Sequence, residues 1–231
     1  MTERGRTDQI REMFDRIASG YDRQNTVFSL DRDRAWRRRA ARLAGLRPGD
    51  VALDLCTGTG KLAAELLPDV RPGGRVIGLD FSTRMLELAR RQVAGVEFQL
   101  GDVMNLPFGD ASIDAVTIAF GLRNLVDRER GLREMFRVLK PGGRLVVLEF
   151  RPPPRGPLSL PYRFYLTRVM PGVAGWFGMD RQAYQYLADT VQGFPSPTEL
   201  ARLLEQIGFR DVQVRRMTGG IVALHRSVRP N

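Results

Sequence analysis

The chain's most chemically suggestive stretch is Leu53-Asp54-Leu55-Cys56-Thr57-Gly58-Thr59-Gly60. Glycines after an apolar run let the backbone approach a ligand without a Cβ in the way, and a helix starting just beyond them presents free N–H groups. With Ala63 the run fits G-x-G-x-x-A, and Asp80 stands near the distance where a ribose-binding acid belongs. That pattern alone does not choose between a nicotinamide dinucleotide and S-adenosylmethionine. The acids choose. Asp54 lies inside the apolar run, where a carboxylate is costly unless it meets a partner, and the ammonium of a methionine moiety is a suitable one. Asp80 is followed by Phe81, and Asp102 by Val103; Asp102 could accept from an adenine amino group with Val103 beside the ring. Acids closing three successive strands suit a cationic cofactor with free ribose hydroxyls, and they would repel a pyrophosphate. One such aspartate is an ordinary turn former or helix cap; the recurrence is what favours a cofactor. The candidate cofactor-binding residues are Asp54, Gly58, Thr59, Gly60, Asp80, Phe81, Asp102 and Val103.

These residues need strands to carry them. Val51–Leu55 reads as a buried parallel strand, followed by a helix over Lys61–Leu67 that Pro68 should stop. Arg75–Leu79 is a second strand, with Ser82 as the N-cap of a helix through Gln92. Val96–Leu100 and Ile113–Phe120 follow as strands. A helix over Arg128–Leu139, ended by Lys140-Pro141-Gly142-Gly143, precedes a fifth strand at Arg144–Phe150. Strand and helix alternate five times, the rhythm of a doubly wound, mostly parallel, Rossmann-like α/β sheet. A helix at Thr198–Ile207 and strands at Val212–Met217 and Ile221–His225, joined by Gly219-Gly220, add a C-terminal antiparallel hairpin. The 231 residues make one domain. Its expected parts are a helical cap over 1–45, a cofactor-binding core over 46–151, an insertion or lid over 152–195, and the final helix and hairpin over 196–231.

Composition narrows the functions. A single cysteine, Cys56, excludes an intrachain disulfide, and with one histidine, His225, no metal site is expected. The opening MTERGRTDQIR has no apolar core of a secretory signal, and no apolar window is long enough to span a bilayer, so a cytoplasmic location is expected. The formal net charge of +10 invites a nucleic-acid reading. Yet only Lys61 and Lys140 are lysines, and so uniform a preference for arginine is compositional rather than a built binding surface. One cluster stands out: Arg32, Arg34, Arg37, Arg38, Arg39 and Arg42 around Trp36. It is either a solvated helical face or a contact for anionic lipid headgroups.

Other motifs extend over nearly the whole chain. They are Tyr21-Asp22-Arg23-Gln24-Asn25 with Phe28-Ser29 and Trp36, then Phe120-Gly121-Leu122-Arg123-Asn124, then Arg137-Val138-Leu139-Lys140-Pro141-Gly142-Gly143 running on to Leu148-Glu149-Phe150. Tyr186-Leu187, Phe194-Pro195 and Gly220-Ile221-Val222-Ala223 follow. In these the chain resembles the ubiquinone/menaquinone biosynthesis C-methyltransferase family. The Leu-Lys-Pro-Gly-Gly run is common to many methyltransferases; the first two motifs together are specific. Gln24, Asp33, Lys61 and Arg151 depart from the Met, His, Asp and Ser usual in the family.

The resemblance implies a class I fold and methyl transfer from S-adenosylmethionine to a ring carbon of a demethylated polyprenyl quinol, demethylmenaquinol above all. It implies Tyr21, Asn25 and Asn124 as substrate residues and Arg123 as the catalytic one, orienting a water or stabilising a phenolate. The competing role for Arg123 is a structural salt bridge, with Asp127 as the candidate partner. His225, near the terminus, reads as structural. Alternative functions are methylation of another lipid-like acceptor, an NAD-dependent reductase, and nucleic-acid binding. The aromatic stretch within Pro152–Met179 suggests a movable cover for a lipid-borne ring, with peripheral contact to an anionic membrane.

Overall fold

The computed structural model describes residues 3–20, 29, 31–151 and 181–231. Helix α1 (Glu3–Ile17) and a 3-10 turn at Ala18–Gly20 precede α2 (Arg32–Ala44). Then come β1 (Val51–Leu55), α3 (Lys61–Val70), β2 (Arg75–Asp80), α4 (Thr83–Gln92), β3 (Glu97–Leu100) and β4 (Ile113–Ala119). A 3-10 turn at Leu122–Asn124 leads to α5 (Arg128–Val138) and β5 (Leu139–Phe150). The rest is α6 (Arg181–Gln192), α7 (Pro197–Ile207), β6 (Arg210–Met217) and β7 (Val222–Val228). The strands form one sheet in the order β3-β2-β1-β4-β5-β7-β6. β1 pairs in parallel with both β2 and β4, so the chain leaves β1 in one direction and returns to its other side. In open α/β sheets the crevice at that reversal is where ligands bind. β7 runs antiparallel between β5 and β6 and completes the hairpin expected from Gly219-Gly220.

Both faces of the central strands β1, β2, β4 and β5 are buried, which is why these read as near-continuous apolar runs. On one face Leu53, Leu55, Ile77, Leu79 and Ile118 pack with Leu132 and Met135 of α5 and with Leu200 and Leu204 of α7. On the other, Ala52, Ala115 and Val146 share a cluster with Ala40, Ala41 and Ala44 of α2 and Leu62 and Leu66 of α3. Small residues on both sides allow a helix with few apolar side chains to sit against the strands. Its larger anchor is Trp36, 6% exposed. The Trp36 ring lies 6.1 Å from Phe120 and 6.2 Å from Phe150, and its Nε1–H donates to Thr218 Oγ1 at 2.9 Å. α2 is thereby fastened to the ends of β4 and β5 and to the β6–β7 turn.

Three expectations change. α3 continues through Pro68 to Val70. Pro68 is exposed while Leu66 and Val70 are fully buried on either side of it. The missing backbone bond thus falls on the solvent face, and packing holds the last turn. Lys140–Gly143 does not lie outside the strand: Leu139 already pairs with Ile113, and the register then shifts so that Arg144 pairs with Ala115. Lys140 Nζ reaches Asp114 at 2.8 Å and Gly142, at φ 75°, donates to Arg229 O. The excursion is therefore tied to the sheet on both sides. Of the insertion expected over 152–195, residues 152–180 lie outside the described residues, and Arg181–Gln192 is a helix that the sequence reading left unassigned.

Trp36→Ala should cost about 3–5 kcal/mol in urea unfolding, as expected for a large buried aromatic. Trp36→Phe, which loses the bond to Thr218 but keeps a ring, should cost about 1–2 kcal/mol. Equal midpoints for Trp36→Ala and the parent would contradict this role.

Candidate functional site

A cleft opens at the carboxyl ends of β1 to β4. Its walls include Cys56 and Gly58 after β1, Asp80 and Phe81 at the end of β2, Asp102 and Val103 after β3, and Phe120 and Asn124 after β4. Asp54, Thr59 and Gly60 are not part of that wall. α1 supplies another side through Thr7, Ile10 and Phe14, and the Phe14 ring meets Phe81 edge-on at 6.2 Å. Nothing in the sequence pairs residue 14 with residue 81, so this wall was not anticipated.

The turn after β1 is built around Asp80. One Asp80 oxygen accepts from the Gly58 N–H at 2.8 Å and the other from the Ser82 N–H at 2.9 Å. Ser82 in turn caps α4 by accepting from the Met85 N–H. Gly58 has φ 56°, and a Cβ there would meet nothing within 4 Å, so its ligand-facing side is open. Gly60 is needed for a different reason: at φ 81°, an added Cβ would stand 2.8 Å from the Phe98 ring. A glycine turn open on one side and closed on the other leaves room for a ligand only over Gly58.

Asp54 is 1% exposed. The partner it needs is supplied in part by the fold, since Thr57 and Thr117 each donate a hydroxyl to it at 2.7 Å. Those bonds compensate only in part. Burial pushes its pKa up to about 6 and the charge of Asp80 adds to the rise, against the two threonines and Arg37. Burial likewise raises Asp80 to about 6, against its backbone hydrogen bonds, with Asp15 adding to the rise. Asp102 is exposed at the mouth and accepts from the Met104 N–H at 2.9 Å, while Val103 beside it is buried. The Arg37 that faces Asp54 is held by a buried ion pair with Asp33, one of the positions that depart from the family's usual residue.

Arg123 lies in the 3-10 turn after β4, and its partner is Glu149 rather than Asp127. Its Nη1 donates to Glu149 Oε1 at 2.8 Å and to Phe120 O at 2.5 Å, and both side chains are buried. Glu149 also accepts from the backbone N–H groups of Arg123 and Phe150. Asp127 instead caps α5, accepting from the Arg130 N–H. A lone acid within Leu145–Phe150 was the same signal as Asp54 within Val51–Leu55, and it called for a cation. Arg123 and Asn124 also line a second cleft beside the first. Tyr21 and Asn25 lie outside the described residues. His225 is buried on β7, its Nε2 2.9 Å from Pro197 O, burial lowers its pKa, and it lines neither cleft. Among the described residues, no group of His, Cys, Asp or Glu could hold a metal ion.

Removing one partner of a buried ion pair strands the other charge. Arg123→Ala should therefore destabilise the protein by about 3–5 kcal/mol, and adding Glu149→Gln should restore most of that loss. Additive losses in denaturant titrations of the single and double variants would contradict the pairing.

Comparison with known proteins places this geometry in a family. The model of the ubiE/COQ5 methyltransferase family matches residues 1–229. A demethylmenaquinone methyltransferase of Thermus thermophilus is 46% identical over 222 residues, covering 94% of this chain and 100% of the relative. One of Clavibacter sepedonicus is 44% identical over 225 residues, covering 96% and 91%. Among solved structures, a SAM-dependent methyltransferase from Thermotoga maritima aligns with TM-score 0.67 at 24% identity, covering 95% of this chain and 99% of that one. A phosphoethanolamine N-methyltransferase of Haemonchus contortus, in complex with S-adenosylhomocysteine, aligns with TM-score 0.61 at 18% identity, covering 82% and 51%. These structural likenesses are of fold. The family match over almost the entire length carries the assignment: the chain belongs to the ubiE/COQ5 methyltransferase family.

Proposed function

We propose that the protein transfers a methyl group from S-adenosylmethionine to a ring carbon of demethylmenaquinol, giving menaquinol. The observation that carries the cofactor half of this reading is Asp80. It is a buried carboxylate on the cleft wall that holds the Gly58 turn from below while the space above Gly58 is open. In this reading Asp80 accepts the ribose hydroxyls, Phe81 and Val103 flank the adenine, and Asp102 meets its amino group. Asp54, Thr59 and Gly60 shape the turn from behind, and the Asp54 charge favours the cationic cofactor. The relatives named above support the acceptor half, since they are demethylmenaquinone methyltransferases.

S-adenosylmethionine supplies a methyl group already activated on a sulfonium, so the protein's part is alignment and exclusion of water. The acceptor's hydroxyl gives its proton to water and its ring carbon bonds the methyl as the carbon–sulfur bond breaks. The proton on that carbon then leaves to water to restore the aromatic ring, and the ring oxygen takes a proton back, so one proton is released for each methyl transferred. Arg123 is the residue assigned to the acceptor's oxygen, directly or through a water. Its Nε is buried without a hydrogen-bond partner, and the residue lines the second cleft. Asn124 lines both clefts and stands where donor and acceptor meet. A peripheral contact with anionic lipid fits α2, whose Arg32, Arg34, Arg38, Arg39 and Arg42 are exposed while Arg37 turns inward. Among the described residues no helix is long and apolar enough to cross a membrane.

The raised acids make the cofactor reading testable by pH. Asp54 and Asp80, at about 6 in the fold and near 3.8 when exposed, lose protons in the unfolded chain first. Stability therefore falls as pH rises from about 4 to about 6, by roughly 3 kcal/mol per acid. A bound cation reverses part of that cost, so affinity for S-adenosylmethionine should rise with pH through the same window. We expect it to be at least about tenfold tighter at pH 7.5 than at pH 5, one pKa unit being a factor of ten. Asp80→Asn should weaken binding at pH 7.5 and flatten the dependence. Calorimetry showing pH-independent affinity in the parent would remove the acids from the cofactor site. For the lipid contact, flotation with anionic vesicles should show binding that fades with salt and with Arg34→Glu/Arg38→Glu, each arginine near the surface adding about 1 kcal/mol. No flotation at low salt would assign α2 to solvent.

A further inference from the structure

The second cleft has a composition unlike the first. It is bounded by Arg6 and Ile10 of α1, Asn124 and Leu125 after β4, Arg128 at the start of α5, and Tyr186 of α6. Ile10, Asn124, Leu125 and Val126 line both clefts, so the two meet along a shared wall. A methyl donor in the first and an acceptor in the second would touch there. We propose that the second cleft seats the acceptor's ring, with Arg128 and Tyr186 joining Arg123 in holding the ring hydroxyl as its anion. This rests on the quinol-methylating reading and extends it to an acceptor site.

The charges around the cleft are of both signs. Arg6 comes from α1, Arg123 from the turn after β4, Asp127 and Arg128 from the start of α5, and Tyr186 and Asp189 from α6. Each carboxylate has a donor of its own, and Glu149 is neutralised by Arg123. Asp127 accepts from the Arg130 N–H, Asp189 from the Gln185 amide, and Glu149, nearby, from Arg123. Arg128 is different. Its Nε is buried with no hydrogen-bond partner, and its guanidinium lies over the Phe194 ring at 5.3 Å. Burial, and then the charge of Arg6, lower its pKa. A half-buried guanidinium on the cleft wall, with its Nε unpaired, gains from a charge-assisted bond to an incoming oxyanion. The Tyr186 hydroxyl is a neutral donor at this place: burial raises its pKa, against Arg123, Arg6 and Arg128. Asn124 Oδ1 is likewise buried and without a partner. Ile10 and Leu125 supply apolar surface for the ring between these polar groups.

Binding tests the site without turnover. With the protein saturated in S-adenosylhomocysteine, the probes are 2-hydroxy-1,4-naphthoquinone, an anion at neutral pH, and uncharged 1,4-naphthoquinone. The parent should bind the anion at least about tenfold more tightly than the neutral ring, the scale of one charge-assisted hydrogen bond. Arg128→Gln and Tyr186→Phe should each reduce that preference at least about fivefold, with affinity for S-adenosylhomocysteine unchanged. Arg133→Gln removes the same charge from α5 at an exposed residue outside the cleft and should keep the preference. The assignment fails if the parent does not bind the anion or has no preference for it. It also fails if the cleft variants keep the preference, or if Arg133→Gln loses as much. Methyl transfer by the parent to a short-chain demethylmenaquinol is measured separately. Absence of transfer with the anion preference intact would overturn the proposed function and leave the cleft assignment standing, and transfer with the preference unmoved in the cleft variants would do the reverse.

Discussion

Two carboxylates with little access to water stand where the sheet reverses direction, and much of the molecule is arranged to tolerate them. Parallel pairing of β1 with β2 brings Asp80 close enough for its charge to disfavour that of Asp54. Each is relieved by groups that the strands place there. Thr57 and Thr117 serve Asp54, Thr117 because β4 pairs directly with β1 at Asp54; the N–H groups of Gly58 and Ser82 serve Asp80. The relief is incomplete, as the raised acids show. That residue of unfavourable energy is what a cationic ligand can recover, so the same electrostatics that costs stability supplies binding.

The opposite arrangement stands across the cleft. At the ends of β4 and β5, Arg123 and Glu149 satisfy each other's charge, and Glu149 takes two further backbone donors. This pair fixes the turn that presents Asn124 to both clefts. The ring of Phe150 lies under the Arg123 guanidinium, and Phe120 under that of Arg37, so the aromatic cluster that anchors α2 also carries the cations facing the acids. Packing and electrostatics are not separable here. Moving Trp36 would shift Phe120, and with it the position of Arg37 relative to Asp54.

α1 adds a part that the sheet cannot. Its Phe14 packs on Phe81, its Ile10 lies between the two clefts, and its Arg6 reaches the second. A helix at the beginning of the chain thus joins a site whose other residues come from strand ends far along it.

What the sequence determined by itself was whatever has a local cause. The central strands were legible because both faces are buried, which writes runs such as Val51–Leu55 and Arg144–Phe150 as apolar. The Ser82 cap and the Gly219-Gly220 turn were legible because their geometry is set within a few residues. The acids at strand ends were legible because a carboxylate beside a buried run demands a reason. Tertiary structure decided who supplies that reason. Thr117 lies 63 residues from Asp54 and Glu149 lies 26 from Arg123, and only the pairing of β4 with β1 and the parallel run of β5 bring them together. It also decided that Pro68 stays inside α3, because burial of Leu66 and Val70 outweighs one backbone bond lost to solvent. The second cleft lies largely on that side of the division, although Arg123 and Asn124 on its wall belong to a motif legible in the sequence. Arg6, Arg128 and Tyr186 read singly as ordinary polar residues of three helices, and their shared boundary exists only because those helices converge on the end of one sheet.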